Sequence, residues 1–496
     1  MAAEHFDVII IGAGLSGIGM ACHLAKECPD KKVAILERRD AIGGTWDLFR
    51  YPGIRSDSDM FSFGYAFRPW NDLQVLADGP SIRQYIQDTA NEYAVTEKIR
   101  FGMDITDANW SSERAQWTVS AIDQHTGEKI EFSCAFLISC SGYYSYQQGY
   151  LPEFNGIERF QGQCIHPQQW PEDLDYRGKR VVVIGSGATA VTLVPAMAEQ
   201  VQHITMLQRS PSYIFSVPAQ DRISAFLKRF LPDTWVYNLA RRRNIRVQRW
   251  MYKAAKRWPV GTRNFLLKNV RKQLKNPEDM RHFTPKYMPW DERLCAVPNA
   301  DLFHAINSGK ASVVTDEIET FTENGIRLKS GQELEADIVI TATGLQVQML
   351  GGMSLRIDEQ AVEASKLMTY KSLMVQNVPN MGWILGYTNA SWTLKADIAA
   401  SYLCRLLKYM DKEHKTVAMP VDAGDNLEAA SIMASLQSGY VKRADAILPR
   451  QGRRLPWRVL NDYLADSRML LEESLDDGIL RFDPPQLAPQ PKDQAA

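Results

Sequence analysis

The fold is indicated first by residues 6–17, which read FDVIIIGAGLSG. The four consecutive β-forming residues 8–11 predict a buried parallel strand. Residues 18–26 then carry helix formers with apolar spacing, and residues 33–36 predict a second buried strand that runs into Glu37. These segments predict one βαβ unit of about 30 residues.

The glycines of this unit predict a dinucleotide site. Gly12 allows a tight turn, Gly14 lets the backbone approach a pyrophosphate, and Gly17 lets the helix pack closely on the strand. The helix N-terminus offers unpaired N–H groups to the anion. Glu37 is placed to accept hydrogen bonds from an adenosine ribose. The alternative interpretation is a helix-packing glycine and a surface glutamate.

A second copy of the pattern begins at residues 180–190, which read RVVVIGSGATA. Alanine in the sixth place of the glycine motif is an accepted variant. The second strand of this copy, residues 204–207, is followed by Gln208, Arg209 and Ser210 instead of an acid. An arginine there can pair with a 2′-phosphate, so the site is expected to prefer NADPH. A solvated loop charge is the alternative for Arg209. The candidate NADPH contacts are Gly185, Gly187, Ala188, Thr189, Arg209 and Ser210.

The two copies are followed by similar segments. After the first, residues 117–119 and 129–132 predict a small antiparallel meander that closes with a buried strand at 136–142. After the second, a hairpin at Gly325 precedes the strand 337–344. This arrangement predicts an internal repeat with two nucleotide sites, and hydride passage between them.

Residues 221–276 differ in character, with sixteen Lys and Arg against two acids. They predict a helical insertion that caps the active site, or alternatively a surface for an anionic membrane or a partner. Residues 484–496, rich in Pro, Gln and Ala, predict a disordered tail.

Composition limits the function classes. The 496 residues carry a formal charge of −1, which gives no overall field for nucleic acid, so no nucleic-acid partner is expected. Seven scattered cysteines without C-x-x-C argue against a disulfide framework and a zinc site, and favour a reducing cytoplasm. No metal-ligand motif, secretory signal or membrane-spanning apolar run is found in the sequence.

Residues 160–171, FQGQCIHPQQWP, match the pattern F-x-G-x-x-x-H-x-x-x-W-P. On this fingerprint the chain resembles the Baeyer–Villiger monooxygenases, a branch of the flavin-containing monooxygenases with one FAD fold and one NADPH fold. The resemblance also covers residues 43–46, 289–295 and 386–397. The last two segments are similar to the subgroup that includes the ethionamide-activating monooxygenase.

The resemblance implies an α/β fold with two Rossmann-like dinucleotide-binding domains, for FAD and NADPH, and a helical insertion. The implied parts are an FAD-binding domain at 1–145 and 345–483, an NADPH-binding domain at 146–220 and 286–344, the insertion at 221–285 and the tail at 484–496. The implied FAD contacts are Gly12, Gly14, Gly17, Glu37, Arg38, Gly44, Thr45, Trp46, Asp57, Asn389 and Trp392. A helix starting near Ser391 could stabilise negative charge on the reduced flavin; core packing is the alternative for Trp392.

The implied reaction inserts one oxygen atom of O₂ next to a ketone carbonyl, giving an ester or lactone by way of a C4a-peroxyflavin. By resemblance Arg293 is the fixed cation beside the peroxy anion, and Asp57 positions it. Glu292 stands where some relatives carry a basic residue, which weakens the case for that NADPH contact. His166 is expected to form hydrogen bonds in the linker between domains and not to act as a base.

Three other functions stay open. A flavin-containing monooxygenase could act mainly on sulfur or nitrogen, with a thioether as substrate in place of a ketone. A flavin-dependent disulfide reductase would need a redox cysteine pair, and the sequence has neither C-x-x-C nor C-x-x-x-x-C. The basic segment 221–276 could also make peripheral membrane contact, in the extreme as a membrane-recruited binding protein with a vestigial flavin site.

Overall fold

The computed structural model describes residues 3–292 and 294–483. The proposed active-site residue Arg293 and the predicted tail 484–496 lie outside the described residues.

The described residues form many short strands and twelve α-helices. In chain order the strands are β1 (Glu4–Ile11), β2 (Val33–Leu36), β3 (Ile99–Arg100), β4 (Met103–Ser111), β5 (Gln116–Asp123), β6 (Lys129–Ser139), β7 (Gln163–Ile165), β8 (Arg180–Ile184), β9 (His203–Gln208), β10 (Ile214–Val217), β11 (Cys295–Pro298), β12 (Ala311–Thr315), β13 (Ile318–Thr322), β14 (Gly325–Leu328), β15 (Glu333–Glu335), β16 (Ile338–Thr341), β17 (Ser354–Ile357), β18 (Gln360–Ala361), β19 (Thr369–Tyr370), β20 (Met374–Val375), β21 (Met381–Trp383), β22 (Ala418–Pro420), β23 (Leu427–Ser431), β24 (Arg450–Gly452) and β25 (Leu480–Phe482). The helices are α1 (Leu15–Glu27), α2 (Thr45–Leu48), α3 (Met60–Phe63), α4 (Gly79–Glu92), α5 (Ala188–Met197), α6 (Arg222–Leu227), α7 (Asp233–Arg257), α8 (Pro259–Gln273), α9 (Asp301–Asn307), α10 (Trp392–Lys412), α11 (Gly439–Ala444) and α12 (Tyr463–Leu471).

Two sheets contain the repeat that the sequence predicts. The larger sheet has the order β18-β17-β4-β5-β6-β1-β2-β3, and β21 adds to β6. The second sheet has the order β12-β9-β8-β16-β7 and all its pairs are parallel. The path β3-β2-β1-β6 of the first sheet therefore corresponds to the path β12-β9-β8-β16 of the second. Both follow the strand order of a Rossmann-like half, which confirms the predicted α/β fold.

One predicted boundary is wrong in detail. The second arm of the meander and the closing strand are a single strand, β6. Its first part pairs with β5 in antiparallel fashion and its second part pairs with β1 in parallel fashion. Because no glycine or proline interrupts residues 129–139, the chain has no reason to turn between the two partners. In the second copy the meander β13-β14-β15 is a separate sheet, and β16 starts after it.

The helical insertion is confirmed as α6, α7 and α8. Its long helix α7 is attached to the rest of the protein through Arg241, which is buried and 3.3 Å from Asp397 on α10. The same guanidinium donates to the carbonyl oxygens of Phe61 at 3.0 Å and Gly64 at 2.6 Å, where α3 ends. No helix among the described residues is both long and apolar enough to span a membrane.

All seven cysteines are free. Six of them are buried, and only Cys164 is exposed. The absence of disulfides agrees with the scattered spacing in the sequence.

Candidate cofactor and active site

A cavity of about 550 Å³ lies where the two sheets meet. Gly14 follows β1 and Gly142 follows β6 on one side, while Ala188 follows β8 and Gly344 follows β16 on the other. The carboxyl ends of parallel strands from both sheets thus open into one space, which is the usual ligand position in open α/β sheets.

In the first glycine loop, Gly12 and Gly17 serve the packing of strand and helix. Gly12 has φ +99°, and a Cβ there would lie 2.8 Å from the carbonyl oxygen of Cys140 at the end of β6. A Cβ on Gly17 would lie 1.8 Å from the carbonyl oxygen of Gly12. Neither position accepts a side chain without a shift of the backbone. Gly17 therefore lets α1 lie close to the loop after β1, and Gly12 lets that loop lie close to the end of β6.

Gly14 is different, because a Cβ on it would meet only the backbone of Gly44, whose Cα lies nearest, at 3.4 Å. The segment containing Gly43 and Gly44 bends back over the loop, and the Gly43 N–H donates to the Ala13 carbonyl at 3.1 Å. Gly44 has φ +56°, a value that favours glycine. The backbone at Gly14 therefore faces the cavity without side-chain cover.

Glu37 lies beside the same loop, at the end of β2. Its Oε2 accepts from the Ala13 N–H at 2.6 Å and its Oε1 accepts from the Arg39 N–H at 2.9 Å. Burial raises the pKa of the Glu37 carboxyl, while the two N–H donors act in the opposite direction. Arg38 points elsewhere, to Asp104 at 2.6 Å and the Gly351 carbonyl at 2.8 Å, and is not among the residues that line the cavity.

The second glycine loop repeats this division of roles. Gly185 has φ +140°, and a Cβ on it would lie 2.4 Å from the carbonyl oxygen of Ala342. Gly187 has no atom within 4 Å of the position of a Cβ. Ala190, in place of the third glycine, is fully buried. The first position serves packing and the second faces open space, as in the loop after β1.

Arg209 and Ser210 follow β9 and are both exposed. The Ser186 hydroxyl donates to the Ser210 carbonyl oxygen at 3.1 Å, which holds the two loops together. Burial raises the pKa of Glu292, and the charge of Arg209 acts in the opposite direction. Arg209 therefore lies at the rim of the second glycine loop, where a phosphate beyond the loop could meet it.

Three helix N-termini face the cavity. Helices α1, α5 and α10 begin there, and none of the three carries a side-chain cap hydrogen bond on its first turn. Several helices elsewhere, among them α8 and α9, also lack such a cap, whereas α4, α6 and α12 follow an aspartate whose carboxylate accepts from the backbone. Uncapped N-termini carry partial positive charge and unpaired N–H groups, so the cavity is suited to anionic groups.

Aromatic side chains cover the wall near α10. Trp392 stacks on Tyr143 with ring centroids 5.4 Å apart, and its Nε1 donates to the Ser16 hydroxyl at 2.8 Å. Thr45 and Tyr144 share a hydrogen bond of 2.6 Å between their hydroxyls. Trp392 thus packs against its neighbours and also lines the cavity, and its contact with FAD stays a prediction.

Polar atoms beside Trp392 are left without protein partners. Within the described residues, Oδ1 of Asn389 and Oγ of Ser391 are buried and form no hydrogen bond. The amide nitrogen of Asn389 donates to the Asn461 carbonyl at 2.9 Å, so the orientation of the side chain is fixed. Both residues line the cavity. Other buried polar atoms of the described residues also lack partners, but these two lie at the cavity, where a bound group would be within reach of them.

A family model described as flavin-binding monooxygenase-like matches residues 6–448. The chain belongs to this family. It is 61% identical over 483 residues to MymA of Mycobacterium tuberculosis, covering 97% of this chain and 98% of MymA. It is 51% identical over 481 residues to the FAD-containing monooxygenase EthA of Mycobacterium tuberculosis, covering 97% and 98% respectively.

Solved structures resemble the fold at lower identity. An oxidized steroid monooxygenase bound to NADP aligns with a TM-score of 0.71 at 22% identity, over 84% of this chain and 88% of that one. A structure of OTEMO in complex with FAD and NADP aligns with a TM-score of 0.70 at 22% identity, over 84% and 88%. At this identity the likeness concerns the fold, and it agrees with a flavin-binding monooxygenase-like chain built from two Rossmann-like halves.

Several cavity residues of this family member could not be found from its motifs. They come from the aromatic segment after β6 and from the inner side of α7, and are Tyr143, Tyr144, Tyr146, Gln248, Met251 and Tyr252. The three tyrosines within residues 143–146 follow a strand that runs into glycine, and this pattern is a sequence signal for the aromatic part of the cavity wall. Nothing in the spacing of α7 distinguishes its cavity-lining residues from the rest of its inner side.

Asp57 lines the cavity and is exposed, and the Ser58 hydroxyl donates to its carboxylate at 3.4 Å. It lies on the segment between α2 and α3, in which Arg55 pairs with Asp301 of α9 at 2.6 Å. The role of Asp57 beside FAD stays a prediction. The partner assigned to it by resemblance, Arg293, is outside the described residues.

The fingerprint 160–171 links the second sheet to the cavity. Nδ1 of His166 accepts from the Gln168 N–H at 3.2 Å, which leaves Nε2 to donate to the Gly344 carbonyl oxygen at 3.2 Å. Burial lowers the pKa of His166, so the neutral ring is favoured. Both ring nitrogens are engaged, as expected for a structural histidine. A base would need one of them free.

Tyr387 also lines the cavity, and its hydroxyl contacts a buried pair of charged residues, Asp466 and Lys395. The Tyr387 hydroxyl donates to Oδ2 of Asp466 at 2.8 Å, and Oδ1 of Asp466 is 3.4 Å from Nζ of Lys395. Burial lowers the pKa of Lys395. This pair fixes the segment before α10 against α12, and so the orientation of Tyr387 at the cavity wall.

Proposed function

We propose that the protein is an FAD- and NADPH-dependent monooxygenase of the Baeyer–Villiger type. It inserts one oxygen atom of O₂ next to a ketone carbonyl and gives an ester or lactone. The observation that carries the proposal is that both glycine loops open into one cavity, so that two nucleotides bound there would meet.

The residues present fit FAD in the first loop. Gly14 lines the cavity, where a Cβ on it would contact only the Gly44 backbone, and α1 would present its uncapped N-terminus to a pyrophosphate. Glu37 would accept from the ribose, and Gly12, Gly17 and Gly44 keep the backbone in place. The unpaired oxygens of Asn389 and Ser391 offer acceptors for the N–H groups of a flavin ring, with Thr45, Trp46 and Trp392 around it.

The residues after β8 fit NADPH. The open position at Gly187 and the N-terminus of α5 at Ala188 and Thr189 would take the pyrophosphate. Arg209 would pair with the 2′-phosphate from the rim, with Ser210 beside it. On this basis the chain would divide as the resemblance implies, with residues 1–145 and 345–483 serving FAD and residues 146–220 and 286–344 serving NADPH.

Bound FAD would supply the redox chemistry, taking a hydride from NADPH and activating O₂. The part of the protein is to exclude water and to hold a cation beside the developing negative charge. We assign the cation to Arg293 on the family fingerprint, and we assign to Asp57, at the cavity, the positioning of that arginine. A guanidinium stays protonated throughout, so it stabilises an oxyanion without competing for its proton.

A ketone is favoured over a thioether by the complete fingerprint at 160–171, in which His166 is held by two hydrogen bonds. Proteins of similar fold include one titled a steroid monooxygenase and one titled a cyclohexanone monooxygenase. Those titles support a ketone-sized apolar substrate, for which the aromatic wall of the cavity is suited.

The test is product analysis with ¹⁸O₂, NADPH and a panel of cyclic, linear and aryl ketones, with a thioether in parallel. We expect an ester that contains one ¹⁸O atom. Arg293→Ala is expected to consume NADPH and release hydrogen peroxide, with ester formation reduced by about 10²–10³. Arg114→Ala, an exposed arginine far along the chain from the cavity residues, is the matched control. Sulfoxide as the only product, or ester from Arg293→Ala at the wild-type rate, would contradict the proposal.

A further inference from the structure

The outer side of α7 carries a continuous exposed stripe of apolar and basic residues. They recur three or four positions apart, so they share one side of the helix. The members, all exposed, are Trp235, Leu239, Arg242, Arg246, Trp250, Lys253 and Arg257. At 1.5 Å per residue the stripe is about 33 Å long. We call these seven residues the α7 stripe.

The neighbouring helices of the insertion also carry exposed apolar residues. Phe230, just after α6, is 72% exposed and Phe226 is 56% exposed, and their rings are in contact. Trp258, at the junction of α7 and α8, is 61% exposed, and Val260 and Phe265 of α8 are similarly exposed. More than half of each of these large apolar side chains is exposed, and their concentration within one insertion indicates an interaction site.

The charge of the segment is equally one-sided. Residues 221–276 hold sixteen Lys and Arg against two acids, a formal charge of +14 in a chain whose total is −1. The remaining residues therefore carry −15. Such a molecule has a strong charge dipole, and an anionic surface would attract the insertion and repel the rest of the protein.

The basic residues of the insertion form two groups, those that face the rest of the protein and those that face outward. Those that face the protein are paired, as in Arg241 with Asp397, Arg243 with Asp221 and Arg249 with Asp462. Within residues 3–292 and 294–483, no ion pair is formed by Arg242, Arg246 or Arg257 of the α7 stripe. These three charges are thus available to an external anion, whereas Lys253, the fourth basic residue of the stripe, is 3.2 Å from Asp462.

We propose that the insertion docks on the surface of an anionic lipid bilayer through the α7 stripe and the exposed aromatic residues beside it. Tryptophan and phenylalanine enter the boundary between headgroups and acyl chains, while arginine and lysine bind the anionic headgroups. Exposed aliphatic residues, Ile223, Leu239, Val247 and Val260, favour lipid over nucleic acid, because aliphatic side chains gain from hydrocarbon but do not stack on bases.

Docking would bring the cavity close to the membrane. Gln248, Met251 and Tyr252 line the cavity from the inner side of α7, next in the chain to Trp250 and Lys253 on the outer side. One helix, about 10–12 Å across, then separates the lipid from the cavity. This arrangement suits substrates that partition into lipid. The docking itself does not depend on which reaction the cavity performs.

The test is co-sedimentation of the full-length protein with vesicles made of equal parts phosphatidylglycerol and phosphatidylcholine, compared with vesicles of phosphatidylcholine alone. We expect binding to the anionic vesicles and a marked loss of binding between about 0.1 M and about 0.5 M NaCl. Reversing three charges with Arg242→Glu, Arg246→Glu and Arg257→Glu should weaken binding by on the order of 100-fold. Trp235→Ala with Trp250→Ala should weaken it at least about tenfold and leave the salt dependence in place.

The matched control reverses Arg114, Arg177 and Arg327, which are exposed and lie outside the insertion. This variant should bind vesicles like the wild type, and thermal unfolding should confirm that all variants fold. Wild-type protein that ignores anionic vesicles overturns the proposal, as does a triple stripe variant that binds them unchanged. Two further results also overturn it: binding of a single-stranded oligonucleotide in place of vesicles, and a stripe that instead joins two copies, seen by light scattering.

Discussion

Gly187→Ala should separate coenzyme binding from folding. The backbone of Gly187 is extended, at φ −83° and ψ −173°, which alanine adopts without strain, and no atom lies within 4 Å of the new Cβ. Alanine restricts the unfolded chain, which stabilises by about 0.4–1 kcal/mol. At the N-cap position alanine is less favourable than glycine, and the replacement costs about 0.5–1 kcal/mol of stability. The two effects nearly cancel, so the protein alone should tolerate the change.

The affinity for the coenzyme should fall in Gly187→Ala. A methyl group at the open position would keep a pyrophosphate from the N–H groups at the start of α5. Loss of one hydrogen bond to a charged group costs about 1.5–3 kcal/mol, or roughly a 10- to 150-fold weaker affinity. We expect NADP⁺ titration calorimetry to show this loss, with FAD content unchanged and a melting temperature within about 2 °C of the wild type.

Two further glycine variants are compared with Gly187→Ala. Gly261→Ala, within α8 and with a Cβ 4.0 Å from its nearest neighbour, should leave the affinity unchanged and stabilise the protein by about 0.5–1 kcal/mol. Gly17→Ala places a Cβ 1.8 Å from the Gly12 carbonyl oxygen, so it should destabilise the apoprotein by about 1–3 kcal/mol or more. Gly187→Ala protein that folds and binds NADP⁺ normally would refute the assigned coenzyme loop. A Gly187→Ala protein that unfolds would refute the inference of open space.

Other changes probe the parts around the cavity. Glu37→Gln should cost about 1–3 kcal/mol of stability and release FAD on gel filtration, because an amide cannot accept from both the Ala13 and Arg39 N–H groups; retention of full flavin absorbance would contradict it. Arg241→Met should cost about 3–5 kcal/mol in urea unfolding, because it leaves Asp397 buried without its cation, and Arg241→Lys should recover part of this. The pKa of His166 is lowered in the folded state, so between that pKa and about 6.5 the unfolded state binds more protons than the folded state. The stability that the neutral ring contributes is therefore present above about pH 6.5 and is lost as the pH falls. The melting temperature of the wild type should therefore fall more between neutral pH and about pH 5 than that of His166→Gln, and parallel curves would contradict this.

The parts of the fold set by local sequence were predictable. The unit β1-α1-β2 depends on a strand pattern, three glycines and a carboxylate within one short segment, and the unit at β8 depends on a similar local pattern. The helical character of 221–276 also followed from composition. The continuity of β6 could not be predicted, because it depends on β1 and β5 being on its two sides, and pairing partners that are distant in sequence leave no local signal.

The site was predictable where it is made of backbone and not where it is made of side chains from elsewhere. Gly14 and Gly187 are found by motif. Tyr143 and Met251 line the cavity only because β6 and α7 end up on opposite sides of it. Their positions are consequences of tertiary packing, and the apolar character that brings them there is shared with many core residues.

The two nucleotide loops show why one motif contains glycines of unlike function. The first glycine of each loop, Gly12 or Gly185, meets the carbonyl oxygen at the end of the neighbouring strand, so it is required by the fold whether or not a ligand is bound. The second, Gly14 or Gly187, has room for a methyl group in the protein alone, so the protein itself gives no reason for glycine there. The third has become Ala190 in the second loop without loss of packing. If the copies bind different nucleotides, the difference must lie beyond the glycines, at the ends of β2 and β9, where Glu37 is buried against the loop and Arg209 stands exposed at its rim. A buried carboxylate can serve hydroxyl groups but repels a phosphate, and an exposed guanidinium does the reverse.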